Sequence, residues 1–122
     1  MSHELVKAAV PNGVLFLSDA GGGTPPEPRR GAMVLATPTC IAVACKVDCE
    51  GPTEIRLDHV SSIDPGWPAA FDGVLQTPRR SVVVSTVEGK SLLRSGVGGS
   101  RIRVRVWLNH PTEPDRVLIG LG

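Results

Sequence analysis

Apolar and polar residues alternate in short stretches along most of this chain. The clearest stretch is Arg101-Ile102-Arg103-Val104-Arg105-Val106-Trp107-Leu108-Asn109, where every second residue is apolar. That period predicts a strand with one buried and one wet face. Residues 53–58 repeat the alternation with Ile55 and Leu57 inward, while residues 41–47 and 81–87 are β-branched, less polar segments suited to more central strands. Residues 14–17, 33–35, 73–76 and 117–119 complete the set, with 90–94 a further short strand. Turn formers separate them: Pro11-Asn12-Gly13, Glu50-Gly51-Pro52, Asp64-Pro65-Gly66, Thr77-Pro78, Glu88-Gly89-Lys90 and His110-Pro111. Fourteen glycines and eleven prolines spread this way break any long helix, and only residues 61–72 leave room for a helical turn.

Eight to nine short strands spaced near ten residues predict an all-β fold, an antiparallel β-sandwich over residues 1–122 as a single domain. The predicted core is Leu15, Leu17, Ile41, Val43, Cys45, Ile55, Leu57, Leu75, Val82, Val84, Ile102, Val104, Val106, Val117 and Ile119. Residues 19–28, with three glycines and three prolines, form one long exposed loop.

Composition narrows the classes. With 41% apolar and 20% charged residues, the chain is neither disordered nor membrane-spanning, and its apolar runs fall far short of the ~20 residues a bilayer needs. Met1-Ser2-His3-Glu4 contains no basic-to-apolar leader, so a cytoplasmic location is expected. Cys40, Cys45 and Cys49 are odd in number and poorly spaced for zinc, and no second cysteine pair exists. No metal and no cofactor is expected. Cys45 instead shares a strand face with Ile41, Val43 and Val47, as a small core residue would.

Enzyme signatures are lacking. There is no Gly-x-Ser-x-Gly elbow, and Asp58 and His59 are neighbours on a strand, pointing to opposite faces. Ser95-Gly96-Val97-Gly98-Gly99-Ser100-Arg101 has the glycines of a phosphate cradle but leads into a strand, where such a loop must open a helix. It reads as a hairpin loop before an edge-like strand. No catalytic residue is assigned, which favours a non-enzyme.

Charge is uneven although the net is only +1. Residues 1–72 carry five basic and nine acidic side chains, residues 73–122 eight and three. Such polarity marks either a partner surface or strands of opposite sign paired across a sheet. Arg101, Arg103 and Arg105 share one strand face, about 6.5–7 Å apart along it, and Trp107 continues the row. Planar guanidinium forks and a large indole are the residue types enriched at interface hot spots. The sequence-level assignment is therefore a protein-binding module, an inhibitor or immunity-like accessory protein, holding an acidic protein partner through these four residues. The alternative is that the arginines pair internally with Asp48, Glu54, Asp58 or Glu88 on neighbouring strands.

Nucleic acid is disfavoured, since the chain has no strong basic excess and only four aromatic residues. A homodimer is expected as the commonest way to cover an exposed edge strand. A second functional reading is a small-ligand or carbohydrate-binding sandwich with its pocket at one end, lined by Trp67 and Asp19 with the loop that follows.

The order of several segments resembles a group of small bacterial β-sandwich proteins that includes the ComJ-like proteins associated with competence nucleases. The segments are Gly13-Val14-Leu15-Phe16-Leu17-Ser18-Asp19 followed by a Pro-rich loop, Phe71-Asp72-Gly73-Val74-Leu75, Ser81-Val82-Val83-Val84, and Gly99-Ser100-Arg101-Ile102-Arg103-Val104-Arg105-Val106. The resemblance implies a β-sandwich and a role in binding and restraining another protein. It carries over no catalytic residue.

Overall fold

The computed structural model describes residues 4–122; Met1-Ser2-His3, which belong to the reading of the opening segment, lie outside the described residues. In chain order the strands are β1 (Glu4–Ala8), β2 (Val14–Asp19), β3 (Val34–Ala36), β4 (Cys40–Ala44), β5 (Thr53–His59), β6 (Phe71–Gln76), β7 (Ser81–Thr86), β8 (Ser91–Gly96), β9 (Arg101–Leu108) and β10 (Arg116–Leu121), with one helical turn, α1 (Val60–Ile63). Nine strands fall on the predicted segments, and α1 on the segment with room for a turn. The tenth, β1, is an addition: its five residues carry no clear alternation and gain their place by pairing with β5.

Two five-stranded sheets face each other. The front sheet runs β1-β5-β10-β9-β6 and the back sheet β3-β4-β2-β7-β8. Pairing is antiparallel except between β5 and β10, which run parallel. The inward residues of both sheets make one core, with Leu15, Leu17, Ile41, Val43, Ile55, Leu75, Val82, Val84, Val104, Val106, Val117 and Ile119 essentially free of solvent contact. Fourteen of the fifteen predicted core positions are buried, and Ile102 is partly buried against them.

The structure corrects the reading of residues 95–101. They are not a hairpin loop, since they carry the chain from β8 in the back sheet to β9 in the front sheet. Nor is β9 an edge, for it lies between β10 and β6. Alternation along one strand specifies which face is buried, while pairing partners depend on residues far away in sequence.

A second, smaller cluster lies on the outer side of the front sheet, where α1 folds back across β10 and β9. Ile63, Trp107 and Leu118 are buried there, with Val60 and Ala69 against them. Gly120 makes this approach possible, because a Cβ at that position would come within 2.9 Å of Ile63 and 3.0 Å of Trp107. The His59 ring caps α1, its Nδ1 accepting from the Ser61 amide at 3.2 Å and lying 2.8 Å from Ser61 Oγ. That pairing is local helix capping.

Candidate partner-binding face

Register places the arginine row on the outer side of the front sheet. Arg101 stands opposite Gln76, Arg103 opposite Val74 and Arg105 opposite Asp72 on β6, while Trp107 stands opposite Leu118 on β10. The four residues share a face, as alternation requires, but they do not share an environment.

Arg103 reaches diagonally to Asp72 and grips it in a two-point fork, Nε to Oδ1 at 2.8 Å and Nη2 to Oδ2 at 2.6 Å. Both side chains remain about half exposed, at 52% and 45%. The Arg103 hydrogen bonds hold the Asp72 carboxyl below its ordinary range, with the Arg103 and Arg105 charges adding to the effect. Arg105 is half-buried. Its Nη2 donates to the Gly122 carbonyl at 3.2 Å, and its Nε has no hydrogen-bond partner among the described residues. Arg101 is exposed and forms no ion pair among the described residues.

Trp107 is different. It is 2% exposed, sits beneath α1 and donates from Nε1 to the Trp67 carbonyl at 2.9 Å. Its indole therefore braces the cover of the sheet and offers no surface to a partner in this conformation. The sequence row is continuous, but α1 shelters its last member.

Internal pairing is also present, with partners other than those expected for the row. Glu54 binds Arg116 at 3.0 Å and Asp58 lies 3.6 Å from Arg56, so these acids are engaged away from β9, and Asp72 takes Arg103. Asp72 escapes a reading of the sequence because it lies in an otherwise apolar segment whose partner strand the pattern does not reveal. Among the described residues, the outward positions of the front sheet hold six basic side chains (Lys7, Arg56, Arg101, Arg103, Arg105, Arg116) and three acidic ones (Glu54, Asp58, Asp72). The face is positive.

Trp67 and Asp19 are placed apart in character. Trp67 is exposed at 41%, lying beside α1 with its carbonyl committed to Trp107. Asp19 is buried at the end of β2, where Oδ2 accepts from the Gly21 amide at 2.8 Å and Oδ1 from the Arg79 amide at 2.9 Å. Burial by itself raises its pKa, but the amides of Gly21, Arg79 and Ser81, with the Arg79 charge, hold the carboxyl below its ordinary value. A cleft of about 330 Å³ borders Asp19, lined by Ser18, Gly22, Val83 and Arg94; Trp67 is not among its lining residues. Asp19 thus acts as a loop anchor in this structure.

The three cysteines are free thiols. Burial pushes Cys40 and Cys45 up to about 11, and Cys49 is exposed. No helix among the described residues is long and apolar enough to cross a membrane.

No protein-family description matches this chain, and no curated protein is similar to it in sequence. Solved structures are similar in fold. The crystal structure of ComJ, inhibitor of the DNA degrading activity of NucA, from Bacillus subtilis, superposes with a TM-score of 0.69 over 97% of this chain and 93% of that one, at 8% identity. A second, described as crocagin biosynthetic gene J, gives a TM-score of 0.53 over 99% of this chain and 97% of that one, at 13% identity. The fold-level resemblance read from the sequence therefore stands.

Proposed function

We propose that this chain is a non-enzymatic protein-binding module of the inhibitor or immunity type, which grips an acidic protein partner with the outer face of the front sheet. The observation that carries the reading is the state of β9: Arg101 forms no ion pair among the described residues, and Arg103 is exposed in a fork with an equally exposed Asp72. The fork is open to exchange, so a partner carboxylate can take Arg103 while a partner cation takes Asp72. Strand pairing on both sides of β9 fixes the arginine spacing before contact, which lowers the ordering cost of binding. Trp107 contributes from below by holding α1 in place. The ComJ neighbour, a protein of similar fold, restrains the DNA-degrading activity of another protein, and by analogy the partner here is an enzyme whose active surface is covered.

The test is affinity capture from a lysate of the source organism with the wild-type chain and with an Arg101→Glu/Arg103→Glu variant of unchanged circular dichroism. The expected result is a co-purifying protein that the variant loses, and whose DNA-degrading activity falls when the wild-type chain is added back. A partner retained equally by both proteins removes the front face from the reading.

A further inference from the structure

The back sheet turns a very different surface outward. Leu35, Ala42 and Phe16 stand in one register row across β3, β4 and β2, and Ala44 lies opposite Val14 two residues further on. Alanines flanked by larger side chains leave a trough on the sheet. Residues 20–33 cross above it as a strap.

Both ends of the strap are pinned. At one end the Thr24 amide donates to Thr39 Oγ1 at 2.9 Å, and Thr37 Oγ1 donates to the Thr24 carbonyl at 2.7 Å. Gly23 lies so close to the Thr39 carbonyl that a Cβ there would collide with it. At the other end the Ala44 amide donates to the Met33 carbonyl at 2.8 Å. Between the pins, the backbone bond among the described residues is a turn inside the strap itself, Ala32 to the Arg29 carbonyl at 3.2 Å.

Pro25, Pro26 and Pro28 restrict the middle to extended backbone. The strap therefore bridges the trough and does not settle into it. What remains is a cleft of about 290 Å³ with Val14, Phe16 and Ala42 below and Pro26 and Pro28 above. That volume is at the small end of ligand sites, and at roughly 30 Å³ per heavy group it holds about ten of them. Its exposed lining residues are Pro28, Arg29 and Val87, so solvent enters beside Arg29, a cation with no ion pair among the described residues.

We propose that this cleft binds a small elongated apolar carboxylate, of the medium-chain fatty acid class, with its tail beneath the strap and its carboxylate on Arg29. The apolar walls select the chain, the volume limits its length, and the single guanidinium at the opening selects the anionic end. The site lies on the opposite face from the arginine row and is independent of the protein-binding reading.

The experiment is a titration of the isotope-labelled full chain with sodium decanoate, followed by amide chemical shifts. Saturable shifts are expected at Phe16, Leu35 and Ala42, with butyrate producing none at the same concentration. Ala42→Phe, which fills the trough, should abolish them; if that variant unfolds, Ala44→Leu fills the same trough and replaces it. Arg29→Gln should weaken decanoate roughly tenfold, the value of one charged hydrogen bond, and leave 1-decanol unchanged. The front-face variant Arg101→Glu/Arg103→Glu should bind decanoate as the wild type does. Absence of saturable shifts in the wild type, shifts confined to other residues, or undiminished binding by the filled variants would overturn the site. Equal decanoate affinity in Arg29→Gln would overturn the anionic end of the ligand.

Discussion

The two outer faces of this sandwich meet water in opposite ways. The front face is charged, with arginines and acids paired along and across its strands at 2.6–3.6 Å. The back face is apolar around Val14, Phe16, Ala42 and Ala44 and is roofed by a proline-rich strap. Each also has a device that belongs to the other style, a buried Trp107 cluster on the charged face and an exposed Arg29 on the apolar one. A single core thus supports two surfaces of different chemistry, because side chains on the outer face of a sheet are free of the packing that constrains the inner face.

Loss of the front-face brace should have the strongest consequence for stability. Trp107→Ala removes the main body of the outer cluster and should cost about 3–5 kcal/mol in denaturant unfolding. Trp67→Ala, at a position 41% exposed, should cost less, about 1–2 kcal/mol. Equal effects of the two would mean that α1 is held by something other than the Trp107 indole.

Next is Asp19, which pins the start of the loop leading into the strap. It is 2% exposed, and Asp19→Ala removes the acceptor for the part-buried Gly21 and Arg79 amides, a loss of about 1–2 kcal/mol at neutral pH. The sign with pH follows from its lowered folded-state pKa. Asp19 contributes fully above the ordinary carboxyl value of 3.8, and the contribution is lost as pH falls through the lower folded-state value. Acid titration of stability should therefore be shallower in Asp19→Asn than in the wild type, and parallel curves would count against the anchor.

Softening the roof is a smaller change. Pro26→Gly with Pro28→Gly frees the unfolded chain and should cost about 0.4–1 kcal/mol per site. In the decanoate titration it should also weaken binding, since a flexible strap can settle into the trough.

The smallest effect on stability should come from the face proposed to bind. Arg101→Glu/Arg103→Glu reverses two exposed charges, and exposed pairs such as Arg103–Asp72 contribute little to folding, so the melting temperature should stay nearly unchanged while partner capture is lost. A marked fall in melting temperature would make the Arg103–Asp72 fork structural.

The fold was legible because burial on a strand repeats every two residues. Ile55 and Leu57, Val82 and Val84, Val104 and Val106 each announced an inner face, and all six are buried. The arginine row was legible for the same reason. Its internal partner was not, since Asp72 meets Arg103 only through a β6–β9 pairing that joins residues thirty-one apart. The sheltering of Trp107 was hidden likewise: α1 is four residues long, and its docking depends on Gly120 leaving room.

Local features are thus written in the chain: the strands, their inward faces, the turns, and the alternation that puts Arg101, Arg103, Arg105 and Trp107 on one side. Folding settles the rest: which strands are neighbours, which of those four side chains meets water, and that an extended proline segment arches over two outward alanines. The reason is physical. Periodicity is imposed on each strand by its own backbone geometry, whereas pairing, shelter and cavities arise from contacts between segments that the chain brings together only when it folds.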